Sequence, residues 1–305
     1  MRTIFRLATL ILVASFGVAS NTAFALAIGL SGVTNALSGA GPLFIQYTNA
    51  EQFSATNSID GNGTAALAPA EGNWGIVQLT SIVQGTVLPP TGSDIQGGGT
   101  PIFFDQASGG QITGIFYGVQ VNPLNPTQAT GGFMDLYWQT GTSVNVGSEL
   151  AALTGPTGKR TDANQYTGFT TGTFLAHLEF ADGVLGNGTG VTISTGVVPG
   201  SADGTAKSYQ NVVLGQGGLW ENILNTDFFT LDPNNLPMAS RDIRTDSNFT
   251  VNGAGNWSVA GTNIVGLRSN DPVRAFTVPE PSSLALFGLA LLGLGFGALR
   301  RRGTV

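Results

Sequence analysis

Between Ile115 and Val121 the apolar residues Ile115, Tyr117, Val119 and Val121 alternate with Phe116, Gly118 and Gln120. Phe174, Ala176, Leu178 and Phe180 alternate in the same way with Leu175, His177 and Glu179. A period of two belongs to a strand whose side chains point to opposite faces in turn. Further strands are expected over residues 43–48, 74–83, 133–140, 191–195, 209–214, 228–231, 247–251, 256–260 and 264–267, separated by Gly, Asn, Asp, Pro and Thr clusters suited to turns. Helical spacing is confined to two short stretches, Ser148–Leu153 and Leu219–Leu224. The pattern predicts an all-β chain, an antiparallel β-sandwich or a jelly-roll-like ectodomain. Residues 88–101 and 153–164 read as loops decorating it, and Asp271–Val278 reads as its exit. No fixed-period repeat supports a solenoid or propeller.

Two apolar runs stand outside this alternation. At the N-terminus, Arg2 and Arg6 precede an apolar stretch from Leu7 to Val18, and Ala23-Phe24-Ala25 offers small residues around a cleavage point. This is the form of a secretory signal peptide, residues 1–25, with a signal helix that engages the Sec translocon and signal peptidase. Ala27 offers a second cut, and an uncleaved anchor is the alternative reading. At the C-terminus, Pro279, Glu280 and Pro281 are followed by an uncharged apolar run from Leu284 to Leu299 and then by Arg300, Arg301 and Arg302. As a helix from Ser282 to Leu299 that run is about 27 Å long, just enough to cross a hydrocarbon core of about 30 Å. The arginines resist translocation, so the tail stays cytoplasmic and everything before Pro279 is outside. Three segments follow: a signal peptide 1–25, an exported β-rich region 26–278, and a C-terminal segment 279–305 with a transmembrane helix whose marginal length suits a temporary anchor.

The C-terminal segment resembles the PEP-CTERM sorting signal of Gram-negative bacteria, in which Pro-Glu-Pro precedes a membrane helix and an arginine-rich end. The resemblance implies an exosortase partner, a membrane-embedded cysteine transpeptidase that cuts near the tripeptide. It also implies release to the cell surface or an exopolysaccharide matrix, so that the chain is a substrate rather than a catalyst. The two prolines keep the backbone at Pro279 to Pro281 extended and accessible. An ordinary single-pass anchor with a Pro-rich linker is the plainer reading.

Charge and composition narrow the exported region. The chain carries a net charge of −6, and residues 26–278 hold seven basic against 17 acidic residues, about −10. That balance repels nucleic acid and anionic lipid. The 253 residues from Leu26 to Val278 are enough for one large all-β domain or two small ones. There is no cysteine, which removes thiol nucleophiles, thiolate metal sites and disulfides, so stability rests on a packed core.

Chemistry-bearing residues are sparse. His177 is the only histidine, two positions from Glu179 on the same strand face, where the two form a pair, begin a metal site, or simply meet solvent. No GxSxG elbow accompanies it. Paired carboxylates for glycoside cleavage cannot be singled out among the 17 acids. Gly155-Pro156-Thr157-Gly158-Lys159-Arg160-Thr161 departs from a phosphate loop, since Leu153 replaces its first glycine and Arg160 its Ser or Thr. Calcium is the ion an acidic exported domain would take: Asp60, Asn62, Thr64 and Glu71 fall at positions 1, 3, 5 and 12 of a calcium-loop spacing. Ala65 stands where that loop needs glycine, so the segment reads as a surface turn and no cofactor is expected. Trp74, Trp138, Trp220 and Trp257 are either core or sugar-stacking residues. The expected function is therefore a non-catalytic surface or extracellular-matrix protein, tied through the resemblance to exopolysaccharide, biofilm or floc formation. The alternatives are a carbohydrate-binding or adhesive module and a secreted glycoside hydrolase.

Overall fold

A computed structural model describes residues 29–60, 71–141, 144–151, 156, 158–197, 203–231, 239–251 and 255–277. The expected signal helix and membrane helix lie outside the described residues, among which no helix is long and apolar enough to cross a membrane. The elements run α1 (Gly29–Leu37), β1 (Pro42–Phe53), β2 (Asn73–Leu88), β3 (Asp94–Phe104), β4 (Gln111–Val121), β5 (Gln128–Thr130), β6 (Phe133–Gln139) and α2 (Val146–Ala151). They continue with β7 (Arg160–Asp162), β8 (Gln165–Tyr166), β9 (Thr173–Ala181), β10 (Ile193–Val197), β11 (Asp203–Val212) and α3 (Glu221–Leu224). The chain ends with β12 (Phe229–Thr230), β13 (Ser240–Arg241), β14 (Ile243–Val251), a 3-10 turn at Gly255–Trp257, and β15 (Val265–Phe276).

The all-β antiparallel expectation is met, but the strands form a ring rather than two separate sheets. β1 pairs with β2, β2 with β4, and the order continues through β6, β9, β11, β14 and β15. β15 then pairs with β1 along their whole length, from Pro42 opposite Phe276 to Phe53 opposite Val265. Every contact in this ring of eight is antiparallel and joins strands that follow one another around the wall, which is an up-and-down barrel. The shorter strands are side branches: β3 extends β2, while β5 and β10 bridge β4 to β11.

Alternation around the ring sorts side chains by face. Leu43, Ile45, Val77, Leu79, Leu136, Leu178, Ile243 and Val273 meet inside in one apolar cluster, plugged at one end by Val33 and Leu37 of α1 and by Trp220 and Leu224 at the two ends of α3. Trp220 Nε1 donates to Thr34 Oγ1 (3.1 Å), tying the two plugs together. A second cluster lies outside the wall, where Ala50, Trp74, Ile76 and Ile115 are covered by Val146, Tyr166, Phe169, Trp257 and Ile264. Two apolar faces explain why β2 is buried almost continuously from Trp74 to Leu79.

Several expectations are corrected. The loop expected over 88–101 contains β3, held by its Asp94 carboxylate to Arg274 Nε (3.1 Å) beside the Arg274–Asp246 pair (2.6 Å). The expected exit at Asp271–Val278 is instead the second half of β15, and residues 256–260 contain the 3-10 turn rather than a strand. Alternation in β4 inverts at Gly118, which has φ +72°: Ile115 and Tyr117 face outward, yet Val119 joins the interior. A bulge at a residue free to adopt positive φ makes that inversion. Gly114 is needed for another reason, since a Cβ there would lie 2.2 Å from the Asp135 carbonyl.

Every ring pairing is internal to residues 42–276. Residues 26–278 alone should therefore unfold in one cooperative thermal transition followed by circular dichroism, whereas a chain ending at Gly266 should show none, because β1 and β14 each lose a neighbour.

Candidate functional site

The two halves of the barrel interior differ. The half lined by Leu43, Ile45, Leu79 and Trp220 retains only about 40 Å³ of free space. The other half encloses a cavity of about 350 Å³, within the size class of small-molecule sites.

The cavity is built by alternate residues of β1, with Tyr47 at its floor and Asn49, Glu51 and Phe53 above it. β4, β6, β9, β14 and β15 add Phe116, Val119, Met134, Phe180, Phe249 and Leu267. β5 and β10 close one side, and Pro126 and Thr127 stand exposed at the rim. The neighbouring Leu124 is almost fully exposed, at 97%.

Glu51 is the acid in this wall. Its Oε2 accepts from Asn73 Nδ2 (3.0 Å) and its Oε1 from Ser269 Oγ (2.8 Å), while Asn49 Oδ1 takes the Ser269 backbone N–H (2.7 Å). Desolvation pushes the Glu51 carboxyl above its ordinary value, and the two hydrogen bonds act against that rise. Sequence reasoning passed over Glu51. The available signal was an acid in register with Leu43, Ile45 and Tyr47, on the apolar face of β1.

His177 does not pair with Glu179. Its Nδ1 meets Asp135 Oδ1 across the β6–β9 ladder at 2.5 Å, its ring stacks on Phe133 (5.2 Å), and Tyr117 Oη donates to Asp135 Oδ2 (3.2 Å). Burial and the Asp135 charge raise the Tyr117 hydroxyl, and raise that of Tyr137 to about 12.

Of the calcium-loop residues, Asn62 and Thr64 lie outside the described residues. Glu71 is buried, pairs with the Arg160 guanidinium and accepts from the Gly118 N–H (2.8 Å). Burial pushes its carboxyl up, and the charge and hydrogen bond of Arg160 act the other way. Arg160 also lies 4.1 Å over the Trp74 ring and donates to the Ala163 carbonyl (2.8 Å). The basic turn at 155–161 therefore places its arginine inside the outer core. Lys159 pairs with Glu149. Among the described residues no group of three metal-ligating side chains converges.

All four tryptophans are core residues, between 0% and 2% exposed. Trp74, Trp257 and Tyr166 form a cluster with centroids 5.5 to 6.1 Å apart, and Gln52 joins it by accepting from Trp74 Nε1 and donating to the Trp257 carbonyl, both at 2.7 Å.

The sorting residues Pro279, Glu280, Pro281 and Arg300 to Arg302, like Ala23 and Ala25, lie outside the described residues. The last described residue is Thr277, fully buried, whose backbone N–H donates to Gly41 O (2.8 Å) while its Oγ1 accepts from Gly41 N (3.0 Å). Residues 277–302 match the PEP-CTERM protein-sorting motif. No curated protein and no solved structure shows significant similarity to the chain.

Two outcomes follow. Arg160→Met leaves Glu71 buried without its counter-charge and should lower unfolding stability by about 3–5 kcal/mol, most of it regained in Glu71→Gln/Arg160→Met, as measured by denaturant titration. For Glu51, a carboxyl raised on folding lends stability that is complete below about pH 4.5 and is lost as pH rises through its raised value. The melting temperature of the native protein should therefore fall relative to Glu51→Gln from pH 4.5 to pH 8.

Proposed function

We propose that this chain is a non-catalytic surface or matrix protein that an exosortase severs from the membrane as a finished barrel, for use in an exopolysaccharide matrix, biofilm or floc. The PEP-CTERM motif marks an exported protein sorted by an exosortase, and the proposal adds what is released and what it is for. The observation that carries it is the junction. The motif begins at Thr277, the residue that locks the end of β15 to Gly41. A cut near Pro279 to Pro281 falls beyond the last ring contact, Phe276 opposite Pro42. Release then costs the barrel none of its pairings.

The non-catalytic reading draws support from the side chains. A glycosidase needs two carboxylates flanking its substrate, about 5 to 10 Å apart. The cavity wall offers Glu51 alone among the described residues. The carbohydrate-binding reading relied on tryptophans meeting in an open groove, and these four are packed into the two cores.

Replacing Pro279, Glu280 and Pro281 by alanine should leave the full-length chain in the inner membrane fraction, detected by an antibody to the ectodomain, with surface display lost. Unchanged display would refute the proposal.

A further inference from the structure

Several acids elsewhere in the described residues have basic partners. Glu71 meets Arg160, Glu149 meets Lys159, Asp182 meets Arg241, Asp94 and Asp246 share Arg244 and Arg274, and Asp135 meets the His177 imidazole. Glu51 differs. It lies deep in the wall with two neutral donors, Asn73 and Ser269, and among the described residues no Lys, Arg or His nitrogen is within ion-pair distance of it. A buried acid costs folding free energy unless it is paired. This one borders the larger of the two voids described in the barrel interior.

We propose that the open half of the barrel is a binding site for a small amphiphilic cation, a molecule with one ammonium group and an apolar body. The ammonium meets Glu51, in the space flanked by Asn73 and Ser269, and the body lies against Phe116, Met134, Phe180 and Phe249. Placement favours such a shape. Glu51 is two residues inward from Phe53, about 7 Å along the strand, and the rim at Pro126 and Thr127 is open to solvent. Phenylalanine and methionine side chains adapt to apolar bodies of different outline. Burial raises the Glu51 carboxyl, and a bound ammonium would supply the counter-charge that favours its ionised form. An anionic ligand meets the opposite condition, being desolvated beside an acid.

The test is isothermal titration of the ectodomain, residues 26–278, with three probes that share one apolar chain: octylammonium, octanol and octanoate. Octylammonium should bind most tightly and octanoate at least about tenfold more weakly. Glu51→Gln should reduce octylammonium affinity to near that of octanol and leave octanol unchanged. Filling the cavity with Ala206→Leu/Ser247→Leu should abolish binding of all three, with a cooperative melting transition retained as proof of folding. Equal affinity for octylammonium and octanoate in the native protein overturns the assignment without recourse to any variant. So does binding of octylammonium that Glu51→Gln leaves unchanged, or failure of all three probes to bind at millimolar concentration.

Discussion

The fold depends on one seam, the ladder between its first and last long strands. Residues 42–53 and 265–276 are separated by the whole of the domain, and each supplies the other's missing neighbour. Without that ladder the wall is an open sheet with two long edges exposing unpaired N–H and C=O groups. With it, the interior becomes a closed space. Closure also fixes which side chains are hidden, because alternation along each strand then separates an inside from an outside.

The same closure separates the domain from its sorting segment. Thr277 and Gly41 clasp the end of β15 to the start of β1 at the first residue of the motif. The polarity of the faces suits life in water: the inner face carries Leu, Ile, Val, Met and Phe, while the outer face of β11, β14 and β15 carries Lys207, Arg244, Asp246 and Arg274. A membrane-spanning barrel shows the reverse arrangement. The outer aromatic layer of Trp74, Tyr166 and Trp257 is shielded by α2, the β7–β8 hairpin and the 3-10 turn. It thickens the wall on one side, at the end of the barrel that holds the cavity.

Much of this was legible locally and little of it globally. Period-two patterns placed β1, β2, β4, β6, β9 and the C-terminal parts of β11 and β14, because alternation is a property of neighbouring residues. Closure could not be read, since it joins Pro42 to Phe276, and no short-range signal encodes that pairing. The inversion at Gly118 defeated a strict period, although a glycine within a strand pattern is a known marker of a bulge. His177 offers only Glu179, two positions away, as a partner along its own strand face, whereas the partner it meets, Asp135, lies on the adjacent strand. β3 escaped notice because Gly97, Gly98, Gly99 and Pro101 look like loop chemistry, and it is held through pairing with β2 and the Asp94 ion pairs. Glu51 carried a visible clue, an acid among inward-facing apolar positions, yet its meaning needed the cavity.

Native-state hydrogen exchange of residues 26–278 tests the seam most directly. If β1 and β15 close the barrel, their paired amides, with those of β14, should be among the slowest to exchange and should do so only through global unfolding, with the same denaturant dependence as the whole domain. Exchange of residues 265–276 through a separate opening of lower free energy, while the rest of the wall stays protected, would contradict the account.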